Sequence, residues 1–285
     1  MAAQPATVIP EGVAERFSLA FTATDSSEFE IERKGSAIWC TRRSEADACV
    51  SMSQLEATLA LDESLMRGNL GAIKFKIIAS AQPGVFSLGG DLAFFLRCIE
   101  QGDRASLSAY ALLAARAVWA NLSHFGARQI CSIAVVEGEA QGGGFEAALS
   151  CDIIIAERGA FFGFPETLFG LFPGMGGDTL LKSRIAESVA EKILKGANRY
   201  SAEFLFDIGV VDHLVPRGDG RQLAESLTSI KAIPHLDKVR RVRRAALTFG
   251  QLATEVDHWV DTALALTERN LRAMRYLLGA QRRRV

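Results

Sequence analysis

Neither sign of charge dominates this chain of 285 residues: 32 lysines and arginines stand against 33 aspartates and glutamates, a formal net charge of −1. That balance removes the global pull toward nucleic acid or an anionic membrane. No run of about 18 apolar residues occurs, so no membrane-spanning helix is expected. The first residues, MAAQPATVIPEGVAERF, lack a basic stretch followed by an apolar one. No secretory signal is therefore expected, and a cytoplasmic location is. The five cysteines, Cys40, Cys49, Cys98, Cys131 and Cys151, are odd in number and form no CxxC pair. Free thiols in a reducing compartment are expected, not disulfides or a zinc site. The four histidines, His124, His213, His235 and His258, make no HxxxH or HExxH pattern, so no metal is called for. A GxGxxG fingerprint, internal repeats and low-complexity segments are absent too, and no cofactor is implied.

What is present is an ordinary globular composition, 49% hydrophobic and 23% charged. It reads as a flexible lead over 1–14, a core over 15–220 and a helical C-terminal region over 221–285. FSLAFTAT (17–24) and EFEIERKGSAIWC (28–40) read as strands parted by turn residues, and SMSQLEATLALDESLMRG (51–68) as a helix ending at Gly68. IKFKIIAS (73–80) reads as a strand, Asp91 as the cap of the helix LAFFLRCIEQ, and 106–122 as an alanine-rich helix suited to close packing. ICSIAVVEG (130–138) and CDIIIAE (151–157) read as buried strands flanking a helix, the α/β alternation. A single helix is expected over Thr179–Leu194, another from Ser201, and a strand over IGVVDHLVP (208–216). Beyond Gly220 the chain is helical and basic, including DKVRRVRRAAL (237–247), whose arginines suit a solvated helix face.

Candidate chemistry gathers between Ile133 and Gly177. Gly142, Gly143 and Gly144 lie between a buried strand and a helix, where backbone N–H groups are unsatisfied and a residue without Cβ lets a ligand oxygen come close. A second glycine pair sits in SLGGD, with Leu88, Gly89 and Gly90 following another strand. One N–H from each site could meet on a single oxygen, the arrangement of an oxyanion hole. Two glutamates stand among apolar neighbours: Glu146 in FEAAL and Glu166 in FGFPETLF. Glutamate is seldom buried without a purpose, and burial should raise its pKa toward neutrality. Such a pair beside an oxyanion hole could remove a proton alpha to a thioester carbonyl and protonate a departing hydroxyl.

Three segments, FSLGGDL, VVEGEAQGGGFEAALSCDIIIA and FGFPETLFGLFPGMGG, resemble the crotonase (enoyl-CoA hydratase/isomerase) superfamily. The resemblance implies a spiral of ββα units with a C-terminal helical region for oligomerisation and covering of the acyl pocket. By motif position it implies an oxyanion hole of Leu88 and Gly143 N–H groups, with Gly89, Gly142 and Gly144 against the substrate. Hydratases of the superfamily use two glutamates twenty positions apart, and Glu146 and Glu166 have that spacing. GGDLAFF, LFGLFPGMG, VDHLVPRG and the late WVDTA are similar to the diffusible-signal-factor synthases of bacterial quorum sensing. That similarity implies dehydration of a 3-hydroxyacyl chain on acyl carrier protein to a cis-2-enoyl thioester, then hydrolysis to the free fatty acid. It also implies a homotrimer and a sensor-kinase receiver domain as partner. Glu166 would take the C2 proton and Glu146 protonate the 3-hydroxyl, with the roles exchangeable. Met175, Trp259 and Leu277 would line the acyl pocket, although core packing accounts for them equally well. His258 reads as a structural neighbour of Trp259. Where ordinary hydratases carry an RP…NAL segment against CoA, this chain has CTRRSEADACVSM, which suits a carrier-protein donor. The rival expectations are an ordinary enoyl-CoA hydratase and a crotonase-like protein that chiefly binds a sensor domain.

Overall fold

Short, almost continuously buried runs build two sheets. The computed structural model describes residues 27–68, 70, 72–123, 125, 130–229 and 248–282. The expected lead over 1–14, the expected strand 17–24 and the basic run 237–247 lie outside them. Strands β1 (Phe29–Lys34) and β2 (Ala37–Arg42) form an antiparallel hairpin. Helix α1 (Met52–Arg67) follows, capped by Ser51 and ended by Gly68 in the left-handed region.

Three strand–strand–helix units come next. β3 (Phe75–Ser80) and β4 (Val85–Ser87) lead into α2 (Leu92–Gln101) and α3 (Arg104–Leu122). β5 (Cys131–Val136) and β6 (Glu139–Gln141) lead into α4 (Gly143–Ser150). β7 (Ile153–Glu157) and β8 (Phe161–Gly163) lead into a 3-10 turn (Pro165–Phe169) and α5 (Gly177–Lys182). The first strand of each unit joins a large sheet, in the order β1-β2-β3-β5-β7-β10, where β10 is His213–Val215. The second joins a small sheet, β4-β6-β8-β9, where β9 is Tyr200–Ser201. Beyond the antiparallel β1–β2 and β8–β9 pairings, neighbours run parallel. This is the expected α/β spiral of ββα units.

The large sheet is covered on both faces, as parallel sheets are. Ile77, Ile133 and Ile153 stand in register across β3, β5 and β7, on a face that packs against Ala224 of α8 (Gly220–Thr228). Ala134, Val136, Ile154 and Ala156 point the other way, into the main core. α8 was expected to belong to the C-terminal helical region, yet it covers the core sheet. α9 (Phe249–Leu264) packs on α3, and α10 (Glu268–Arg282) on α2 and the 3-10 turn. Thr248 and Gln251 close the start of α9 with reciprocal hydrogen bonds.

Two expected elements differ. The single helix over 179–194 is divided into α5 and α6 (Glu187–Gly196). Arg184, between them, turns its guanidinium to Cys151 O, Val210 O and Asp212. The strand expected over 208–216 shrinks to β10, because Val210 and Val211 N–H both donate to Leu205 O. They close the end of α7 (Ala202–Asp207) and cannot join the sheet. Asp91 does cap α2, its Oδ1 accepting from Ala93 N at 2.9 Å and Phe94 N at 3.0 Å.

Candidate active site

The smallest unit of the site is the turn from β6 into α4. Gly142 holds φ +51° and ψ −125°, a combination closed to residues with a side chain. A Cβ there would also strike the Glu166 carboxylate. The turn starts α4 with the Gly143 N–H, which has no intrahelical acceptor and no side-chain cap. One turn further on, Glu146 is buried, 1% exposed. Its Oε1 accepts from Met175 N at 2.8 Å and Gly177 N at 2.9 Å, which fixes the carboxyl and leaves Oε2 to hold a proton. Burial, then the neighbouring Glu166 charge, pushes the Glu146 pKa up to about 8 against the pull of those two amides.

Glu166 is carried by the 3-10 turn, which Pro165 starts and Gly170 ends. Its Oε2 is buried and has no hydrogen-bond partner among the described residues. Desolvation raises its pKa to about 7. Both carboxyls are thus pushed up toward neutral pH, where such a pair can hold one proton between them.

Both glutamates line one cavity of about 440 Å³. The same cavity is lined by Leu88, Gly89, Gly142 and Gly143, and by Met175, Trp259 and Leu277. The Met175 methyl lies over Gly143, and Trp259 meets Phe95 edge-on at 5.2 Å. His258 is exposed and away from the cavity. None of the described residues groups into a metal-binding cluster of His, Cys, Asp or Glu. No described helix is long and apolar enough to cross a membrane.

Two expectations need correction. Leu88 N–H was expected to be an open oxyanion donor, but it donates to Ala48 O at 2.9 Å. Ala48 belongs to the segment between β2 and α1, which ties itself to the loop after β4 both there and through Val50 N to Gly89 O at 2.7 Å. Only the Gly143 donor of the expected pair is open. Gly144 was expected against the substrate, but it does not line the cavity. It sits where α4 crosses β4, and a Cβ on it would fall 2.6 Å from both Ser87 Cβ and Ser87 O.

The sequence reading missed several polar groups. Gln281, from α10, reaches back to donate to Leu88 O at 3.0 Å, and its Oε1 is buried with no hydrogen-bond partner among the described residues. Gln141 Nε2, one residue before the glycine triplet, is likewise buried with no partner among them. Glu255 of α9 accepts from Thr179 at 3.0 Å, and burial raises its pKa too. Gln141 could have been noticed as an amide beside the GGG run. Gln281 and Glu255 lie on helices that only the fold brings near.

Comparison with known proteins agrees with this arrangement. The family described as enoyl-CoA hydratase/isomerase matches residues 54–261. The human methylglutaconyl-CoA hydratase is 29% identical over 199 residues, 67% of this chain and 54% of that protein. The short-chain-enoyl-CoA hydratase of Clostridium acetobutylicum is 32% identical over 133 residues, 47% of this chain and 49% of that one. The match thus spans about half the length of these two relatives. Among solved structures, DspI of Pseudomonas aeruginosa is 27% identical with a TM-score of 0.63, covering 82% of this chain and 87% of DspI. An enoyl-CoA hydratase/isomerase from Mycobacterium paratuberculosis shares the fold at 18% identity, with a TM-score of 0.74 over 88% of this chain and 98% of the other. Because the family match spans well over half of the chain and takes in both glutamates and the glycine triplet, this chain belongs to the enoyl-CoA hydratase/isomerase family.

Proposed function

We propose that the protein dehydrates a 3-hydroxyacyl thioester carried on acyl carrier protein to the cis-2-enoyl thioester, then hydrolyses it to release the unsaturated fatty acid, a diffusible signal. The reading rests above all on two carboxyls in one mostly apolar cavity, raised to about 8 and about 7 beside the open Gly143 N–H. Gly143 N–H polarises the thioester oxygen. Glu166, as carboxylate, takes the C2 proton. Glu146, as acid, gives its proton to the 3-hydroxyl, which leaves as water. Glu146 is then a carboxylate and Glu166 an acid, the states a hydrolysis needs. Glu146 draws a proton from water as it attacks the carbonyl carbon, the C–S bond breaks, and Glu166 protonates the thiolate. Both groups return to their starting forms, so one pair serves two steps.

An ordinary enoyl-CoA hydratase is the second reading, favoured by the hydratases among the relatives. Purified protein given 3-hydroxyacyl carrier protein, with products read by mass spectrometry, separates the two. Free cis-2-enoic acid is the expected product. Reversible hydration with no free acid, on carrier protein or on CoA, would overturn the synthase reading. A homotrimer and a receiver domain of a sensor kinase as partner are part of the same proposal and rest on the motif resemblance.

A further inference from the structure

The cavity does not end beneath the glutamates. Its lining extends along facing positions of α3 and α4 and takes in buried polar groups. On α3, Ala114, Ala117, Val118 and Asn121 line it at helical spacing. On α4, Gly143, Glu146, Ala147 and Ser150 do so, one face of a single helix. Ile78 of β3 forms the side wall. It sits in the middle of the large sheet, with β2 and β5 on either flank, yet it is only half-buried. Ala117 and Ala147 are likewise half-buried inside the protein, because the space they face is hollow. Alanine recurs where a larger side chain would fill that space.

One part of the lining has another character. Lys76 of β3 reaches it and is 1% exposed, ion-paired to Asp62 of α1, which is fully buried. Asn121 donates to Ser150 Oγ at 2.8 Å, while Asn121 Oδ1 and Asp62 Oδ2 have no hydrogen-bond partner among the described residues. A methyl group pressed against this pair would add to the desolvation of a buried ammonium and carboxylate, which is costly.

We infer that the channel between α3 and α4 takes the acyl tail, and that the Lys76–Asp62 pair with Asn121 forms the floor that sets its length. From Gly143 to Ser150 the axis of α4 advances roughly 10 Å, about the reach of an eight-carbon tail. The substrate class is a medium-length, methyl-ended acyl chain. This rests on the acyl-thioester reading above and adds the path of the tail. Met175, Trp259 and Leu277 then surround the thioester end, and the small residues of α3 accommodate the rest.

The test reads length preference in two ways: displacement of a bound fluorescent fatty acid by unbranched saturated acids of increasing length, and turnover of carrier-protein thioesters of the same lengths. Ala117→Leu is expected to weaken the longer chains by roughly tenfold or more and leave the shortest unchanged, since a misfit of one or a few methylenes carries that cost. Joint replacement of Lys76→Met and Asp62→Leu makes the floor apolar with little loss of volume, and is expected to move the optimum to longer chains. Equal weakening of every length by Ala117→Leu, in protein shown folded by circular dichroism, would overturn the inference. So would an unchanged length profile in both variants. If the binding profiles shift while no thioester is turned over, the proposed reaction fails and the channel stands.

Discussion

At the scale of single residues, the site is a problem in proton placement. Glu146 is held between two amides that favour its charge and a burial that opposes it, and burial wins. The proposed dehydration needs Glu166 ionised and Glu146 protonated. The ratio kcat/KM should therefore rise through about pH 7 and fall beyond about pH 8, a narrow bell whose limbs belong to the coupled pair. Initial rates over a pH series check this, and a flat profile between those limits would refute it. The same shift bears on stability. The folded-state pKa of Glu146 lies above the ordinary 4.5, so the native state binds the extra proton, and its stability falls as pH rises from 4.5 through about 8. Glu146→Gln mimics the protonated acid and can still accept from Met175 and Gly177. It should abolish dehydration by at least about 10²-fold. Near pH 8 it should raise stability on the order of 2–4 kcal/mol, with the difference gone below pH 4.5. Denaturant titrations at the two pH values measure it. The glutamates could be read in the sequence because phenylalanines and alanines flank them. The capture of the Leu88 amide by Ala48 could not, since it joins backbones that lie far apart in the chain.

At the scale of elements, the site depends on how closely α4 lies on β4. Gly144 permits that approach, with Ser87 against its Cα. Gly144→Ala would push the helix off the strand and carry Gly143 N–H and Glu146 with it. The expected result is a loss of about 1–3 kcal/mol in stability together with a fall in kcat of at least tenfold. The second effect distinguishes displacement of the site from mere loosening of the core, and stopped-time assays on folded protein would read it. Elements with a strong period were legible before any coordinates. α2 and its Asp91 cap are seen where the pattern puts them, and β3, β5 and β7 fall within the apolar runs. Elements governed by distant partners were not. Arg184 interrupts a helix that its own neighbours would have continued, and Leu205 O takes the amides that would have lengthened β10.

At the scale of the whole molecule, the buried Lys76–Asp62 pair is a point of vulnerability. Asp62→Leu alone leaves an ammonium with no counter-charge in the interior and should cost about 3–5 kcal/mol, whereas the joint replacement with Lys76→Met should be near neutral. Thermal unfolding of the two variants decides it, and equal losses would show that the pair contributes nothing specific. The spiral was legible from its motifs, but the pairing of a β3 lysine with an α1 aspartate was not, because nothing in the sequence near either residue calls for the other. The roof of the cavity carries a further consequence. Trp259, Leu277 and Gln281 arrive from α9 and α10, long after both glutamates in the order of synthesis. Without those helices the two acids would face water, where a carboxyl titrates near its ordinary value. The shift of both acids toward neutrality thus depends on α9 and α10 lying over the hollow.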